Sequence, residues 1–142
     1  MFAAEKTANA GFQLDWNKLR IMNPMYFVIV LLLAVLYIFY KRSGQIPKKA
    51  AAEYLKNGAL VIDVRSVAEF ESGHLVQAIN MPLDEIEACA PSLVKDKSQV
   101  LLLHCQSGIR SRMAVQRLAA IGYTKVFNLG SYERAFRVVC GK

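Results

Sequence analysis

The chain has 142 residues, a mass of 15.9 kDa and a formal net charge of +7, enough for one domain with an appendage and too little for two ordinary α/β domains. Hydrophobic residues make up 54% of it. The excess is local: 18 of the 20 residues from Ile21 to Tyr40 are apolar and none is charged, and outside that window the share falls to about 48%, a soluble-domain value. Disorder, collagen-like sequence and a polytopic membrane protein are thereby excluded. Residues 41–142 carry 15 Lys+Arg against 9 Asp+Glu, a balance that fits nucleic acid, anionic lipid or small anionic substrates. The three cysteines, Cys89, Cys105 and Cys140, are odd in number and without paired spacing, and there is no C-x-x-C and no clustering of histidines with cysteines, so neither a disulfide framework nor a metal site is expected.

Residues 1–20 read as an N-terminal tail. The run from Ile21 to Tyr40 reads as a transmembrane helix, since 20 residues rise about 30 Å, the thickness of a bilayer's hydrocarbon core. Tyr26, Phe27, Tyr37, Phe39 and Tyr40 stand near its ends like an interfacial belt. Its 12 Leu, Ile, Val and Phe residues favour insertion by about 4 to 7 kcal/mol. A cleaved signal peptide is the competing reading, but the run is long and Lys41-Arg42 follows where small residues belong. Lys41, Arg42, Lys48 and Lys49 against Lys6, Lys18 and Arg20 set the orientation. The positive-inside rule places a single-pass protein in the cell membrane with its C-terminal domain in the cytoplasm. No Lys/Arg run interleaved with aromatics points to nucleic acid.

Residues 41–48, with Ser43, Gly44 and Pro47, read as a linker to a domain over 49–142. Lys49–Lys56 is expected as a helix stopped by Asn57-Gly58. Leu60–Val64 reads as a buried strand, Ala68–Ser72 as a helical turn, and Ala78–Asn80 as a short strand. Leu83–Cys89 reads as a helix with Asp84 and Glu85 in its first turn. Val100–His104 is a further buried strand. Ile109–Ile121 is a helix with Met113, Val115, Leu118 and Ala119 facing inward. Lys125–Asn128 is a strand and Ser131–Val139 a last helix. Strands without a polar face, alternating with helices, predict an α/β fold: a parallel sheet covered on both faces.

The segment from Val100 to Leu118 carries the chemistry. A buried strand ends, Cys105 follows at once, and a helix begins about four residues later, at the sheet edge where α/β proteins bind ligands. Gly108 lets the chain curl so that loop amides form an anion nest. The helix N-terminus, Arg110, and the nearby cations Arg112 and Arg65 add positive potential. All of these favour thiolate and depress the pKa of Cys105. The result is a nucleophilic sulfur in an anion cradle, the competing reading being a buried structural cysteine.

The hexad Cys105-Gln106-Ser107-Gly108-Ile109-Arg110 resembles the C-x-x-G-x-R active loop of the rhodanese-like sulfurtransferases. Val61-Ile-Asp-Val-Arg65, Glu69-Phe70, Gly73-His74-Leu75, Ala78-Ile-Asn80 and Pro82 follow that family's upstream signature in order. Leu118, Gly122-Tyr123, Val126 and Leu129-Gly130 match downstream, so the likeness runs from about Ile46 to Val139. The chain departs from the pattern at Gln77, where a glycine is usual, at Ser131 after Gly130, and at Ala135, where a tryptophan is frequent.

The resemblance implies a rhodanese-like fold and sulfane-sulfur transfer. Cys105 would be the nucleophile, attacking thiosulfate or a persulfide. The loop residues Gln106 to Arg110 would hold the resulting persulfide, and a thiol or cyanide would accept the sulfur. Arg110 would orient the anionic donor, and no metal or organic cofactor is implied. Asp63 and Arg65 either position the loop or form an internal ion pair. Ser107 and Ser111 either donate to the persulfide or cap the helix. His74 and His104 read as structural, Cys89 as core, and Cys140 as an incidental thiol. The rival functions are a non-catalytic binding or sensing module and, less readily, a phosphatase or arsenate reductase. A phosphatase loop of this type has one more residue between cysteine and arginine than the four found here.

Overall fold

The computed structural model describes residues 24–42 and 44–141, with the side chains of 39–42 left aside. Contacts divide the chain between Tyr37 and Ile38 into two units. The first described element is helix α1, Pro24–Arg42. Its side chains from Met25 to Ile38 are exposed. The tail over 1–20 and the start of the expected span, residues 21–23, lie outside the described residues. Among the described residues, whose side chains end at Ile38 in this helix, no helix is long and apolar enough to cross a membrane. The helix continues two residues beyond Tyr40, and helix α2, Lys48–Lys56, begins one residue earlier than expected. Both shorten the linker read over 41–48.

Four strands form one sheet: β1 Leu60–Asp63, β2 Ala78–Asn80, β3 Leu101–Cys105 and β4 Val126–Ser131, in the order β2-β1-β3-β4. All three pairings are parallel. Near-continuous Val, Ile and Leu in β1 and β3 suit a sheet buried on both faces, and every residue of β3 is buried. Alternate side chains point to opposite faces. Ile62, Leu101, Leu103 and Cys105 pack against Ile86 and Ala90 of α4 (Ile86–Leu93) and Ala114 and Leu118 of α5 (Ile109–Ala120). Val61, Leu102 and Leu129 pack with Ala51 of α2 and Ala135 of α6 (Tyr132–Val139). The sheet is thus covered on both sides, as its apolar strands require.

Several elements differ from expectation for local reasons. The short helix α3, Val67–Glu71, is set by a capping box in which Ser66 and Glu69 each bond the other's amide. Helix α4 starts at Ile86, not Leu83, because Pro82–Glu85 forms a turn closed by Glu85 N–H to Pro82 O. Asp84 therefore lies outside the helix, Glu85 is its N-cap, and the helix continues through Pro91. In α5 the buried stripe is Ser111, Ala114 and Leu118. Met113, 43% exposed, and Ala119 face outward. A stripe sought among apolar residues alone misses a buried serine. Strand β4 runs three residues further than expected. Its register jumps between Leu103, opposite Asn128, and His104, opposite Gly130, leaving Leu129 as a bulge.

Candidate active site

Cys105 ends β3 and is fully buried. The chain then turns over its sulfur. Gly108, the N-cap of α5, has φ +94° and points its amide at Sγ, 3.1 Å away. Only glycine adopts that backbone readily, and the loop is also closely packed. A Cβ on Gly108 would stand 3.3 Å from the backbone of Gly130. Ser111 Oγ lies 3.8 Å from Sγ and donates to Asn128 Oδ1 at 2.7 Å. Asn128 in turn accepts from Gly130 N–H and donates to Gly108 O, fastening the loop to β4. A bridge between Ser107 and Ser131 makes a second tie.

Burial pushes the Cys105 thiol up, but the amides of Ser111, Gly108 and Ser107 outweigh it, and the pKa lies below the ordinary cysteine value. Hydrogen bonds to the charged form are the cause. Of the remaining loop side chains, Gln106 is exposed, Ser107 half-buried and Ile109 46% exposed. The groups aimed at Sγ from this loop are its backbone amides.

Arg110 is not a free cation. Its Nη1 and Nη2 donate to Glu69 Oε2 and Oε1 at 2.6 and 2.8 Å, a bidentate pair. That bond, then the charge of Glu69 and after it that of Cys105, hold the guanidinium above its usual pKa against the opposing effect of burial. Arg110 also brings Glu69 down to about 2. The same carboxylate closes the capping box of α3, so α3 is built into the site. In the sequence Glu69 stands out only as part of a signature. The Ser66-x-x-Glu69 spacing signals a cap, but its bond to Arg110, 41 positions away, has no local sign. Asn128 was missed as well; the available clue was a polar residue in an otherwise apolar strand.

Asp63 and Arg65 form an internal ion pair. Asp63 is fully buried, and Arg65 donates to it from its backbone N–H, Nε and Nη2, the last at 2.6 Å. Arg65 also donates to Gly73 O and lies over the Tyr132 ring. It is therefore committed to Asp63 rather than available as an extra cation for Cys105. His104 points away from Cys105, edge-on to Tyr132, with Nε2 3.9 Å from Asp63 Oδ2. Burial is the main cause that pushes its pKa down to about 4. His74 stacks on Phe70, and its Nδ1 meets Phe70 O at 2.9 Å, a structural placement. Cys89 is half-buried and Cys140 exposed. At the departures from pattern, Ala135 is buried in the core, with Phe136 exposed beside it. Ser131 caps α6 by accepting from Arg134 N–H. Gln77 lies in an exposed turn with Val76.

A buried, thiolate-prone sulfur under a ring of amides, with an arginine beside it, can attack an electrophilic sulfur and hold the anionic product. The model of the family described as "Rhodanese-like domain" matches residues 47–134. YqhL of Bacillus subtilis (strain 168), an uncharacterized protein, is 33% identical over 119 residues, covering 80% of this chain and 93% of YqhL. Thiosulfate sulfurtransferase PspE of Escherichia coli (strain K12) is 36% identical over 72 residues, 51% of this chain and 69% of PspE. Among solved structures, a rhodanese with anions from E. coli superposes with TM-score 0.52 at 32% identity, covering 54% of this chain and 91% of that one. The human single-domain sulfurtransferase TSTD1 gives 0.54 at 25% identity, with 67% and 96% covered. With the family model spanning more than half of its length, the chain belongs to the rhodanese-like domain family.

Proposed function

We propose that this protein is a sulfurtransferase that carries sulfane sulfur on Cys105. The Cys105 thiolate attacks the outer sulfur of thiosulfate or a persulfide. The S–S bond of the donor breaks, and sulfite or a thiolate leaves with the electron pair. The Cys105 persulfide stays anionic under the amides of Ser107, Gly108 and Ser111. A thiolate or cyanide then attacks the outer sulfur, and the electron pair returns to Cys105. This is ping-pong covalent catalysis, with preorganised N–H donors as its electrostatic aid. Arg110, held in place by Glu69, supplies the charge that orients an anionic donor.

The observation that carries the reading is the Gly108 amide aimed at the buried Sγ at 3.1 Å. Sulfurtransferase relatives such as PspE support it. The test is cyanolysis of thiosulfate. Cys105→Ser is expected to abolish thiocyanate formation with the fold intact, and Arg110→Ala to raise KM for thiosulfate. Full activity in the Cys105→Ser protein contradicts the mechanism.

The apolar segment 21–40 is proposed as a single membrane span that holds the domain on the cytoplasmic side. Its length, its apolar composition and the basic residues that follow support this. The full chain is expected to resist carbonate extraction from membranes, whereas a chain begun at Ser43 is expected in the supernatant. Extraction of the full chain by carbonate contradicts the span.

A further inference from the structure

A cavity of about 470 Å³ adjoins the active loop, with one apolar wall at Ile38 and polar or charged walls at Gln45, Lys48, Ser107, Ser131, Arg134 and Arg137. That volume admits a small-molecule ligand. Three of its walls are cationic and no acidic residue lines it. Arg134 is fixed, with Nε donating to Leu129 O and Nη2 to Ile46 O. Among the described residues, the acid paired with Arg137 is the exposed Glu133 at 3.3 Å. Lys48 makes no ion pair among the described residues. Lys48 also opens α2, whose N-cap, Pro47, offers no side-chain hydrogen bond, so first-turn amides add to the positive potential. Ser107, two residues after Cys105 and bridged to Ser131, is the wall shared with the loop.

We infer that this cavity is the acceptor subsite and that it takes a small thiol with an anionic tail of carboxylates or phosphate. The inference rests on the sulfur-transfer reading of Cys105. The tail sits among Lys48, Arg134 and Arg137, and the thiol end reaches over Ser107 to the loaded sulfur. The acceptor thiolate attacks the outer sulfur, the Sγ–S bond breaks, and Cys105 is left as thiolate with the acceptor as persulfide. A neutral thiol gains nothing from the cationic walls. The basic surplus of the domain thus acts at a particular place.

The test uses the full-length chain in detergent, thiosulfate as donor, and three small thiols: mercaptosuccinate (anionic), 2-mercaptoethanol (neutral) and cysteamine (cationic). The Lys48→Gln/Arg137→Gln double variant is expected to raise the KM ratio of mercaptosuccinate to 2-mercaptoethanol roughly tenfold. The cysteamine KM is expected to fall or stay level. An unchanged ratio, or equal rises for all three thiols, overturns the inference. Direct binding of (methylthio)succinate, which keeps both carboxylates and cannot accept sulfur, is measured by calorimetry alongside. Weakening of that binding by the same substitutions is expected, and its absence in the wild-type protein overturns the subsite. If wild-type Cys105 never loads with sulfur, the transfer reading fails while the calorimetry still decides the cavity.

Discussion

Replacing Gly108 with alanine tests how the loop sets the chemistry of Cys105. Gly108 has φ +94°, and a Cβ there would meet Gly130 Cα and C at 3.3 Å and Gln45 Nε2 at 3.4 Å. Gly130 is held by its own amide bond to Asn128 Oδ1 at 2.9 Å, so the loop has to give way. The left-handed backbone alone costs an alanine about 1–2 kcal/mol. Moving the loop loosens the 3.1 Å bond from Gly108 N–H to Sγ. A hydrogen bond to a charged group contributes about 1.5–3 kcal/mol. At about 1.4 kcal/mol per pKa unit, its loss raises the Cys105 pKa by roughly one to two units. The assay is the pH profile of iodoacetamide alkylation, followed on the Cys105 peptide by mass spectrometry so that Cys89 and Cys140 do not interfere. The midpoint is expected to move up in the Gly108→Ala protein. A midpoint that stays in place while the protein remains folded refutes the claim that this amide holds the thiolate.

Asp63→Asn leaves Arg65 buried beside an uncharged partner and is expected to cost about 3–5 kcal/mol in urea unfolding; a loss below about 1 kcal/mol contradicts a structural pair. His104, with its pKa held at about 4 by burial, binds a proton more tightly when unfolded. Its contribution is therefore complete above about pH 6.5 and is lost as pH falls toward 4, about 2–3 kcal/mol between pH 6.5 and 4.5. Urea titrations at those two pH values should show the loss in the wild type and a much smaller one in His104→Leu; equal losses contradict the assignment. Glu69→Ala frees Arg110 and removes half of the α3 capping box, so KM for thiosulfate should rise severalfold with a stability loss of about 1 kcal/mol. An unchanged KM contradicts the positioning role of Glu69.

Strands β1, β2 and β3 were legible to within one residue because buried parallel strands are short apolar runs bounded by turn residues. Helix α4 was displaced because Leu83 and Ile86 are both buried, and alternation of burial does not separate a turn leading into a helix from the helix itself. The far half of β4 was hidden by Gly130, whose positive φ and bulged register look like a turn in one dimension. At the candidate site, Cys105, Gly108 and Arg110 were readable because they lie within one loop. The groups that hold them were not. Glu69 reaches Arg110, and Asn128 reaches Gly108 and Ser111, from elements distant in sequence. Their side chains find partners only once the sheet has formed. The Asp63–Arg65 pair shows the opposite case: a two-residue spacing at a strand end makes the contact local and therefore legible in the sequence as an ion pair.

The central claim is covalent storage of sulfur on Cys105. Its most direct test is mass spectrometry of the reduced full-length chain after incubation with thiosulfate. The account predicts a gain of about 32 Da, the mass of one sulfur atom, confined to the Cys105 peptide and discharged by cyanide. A folded, reduced protein that gains no such mass from thiosulfate or a small persulfide, or that gains it only at Cys89 or Cys140, contradicts the account.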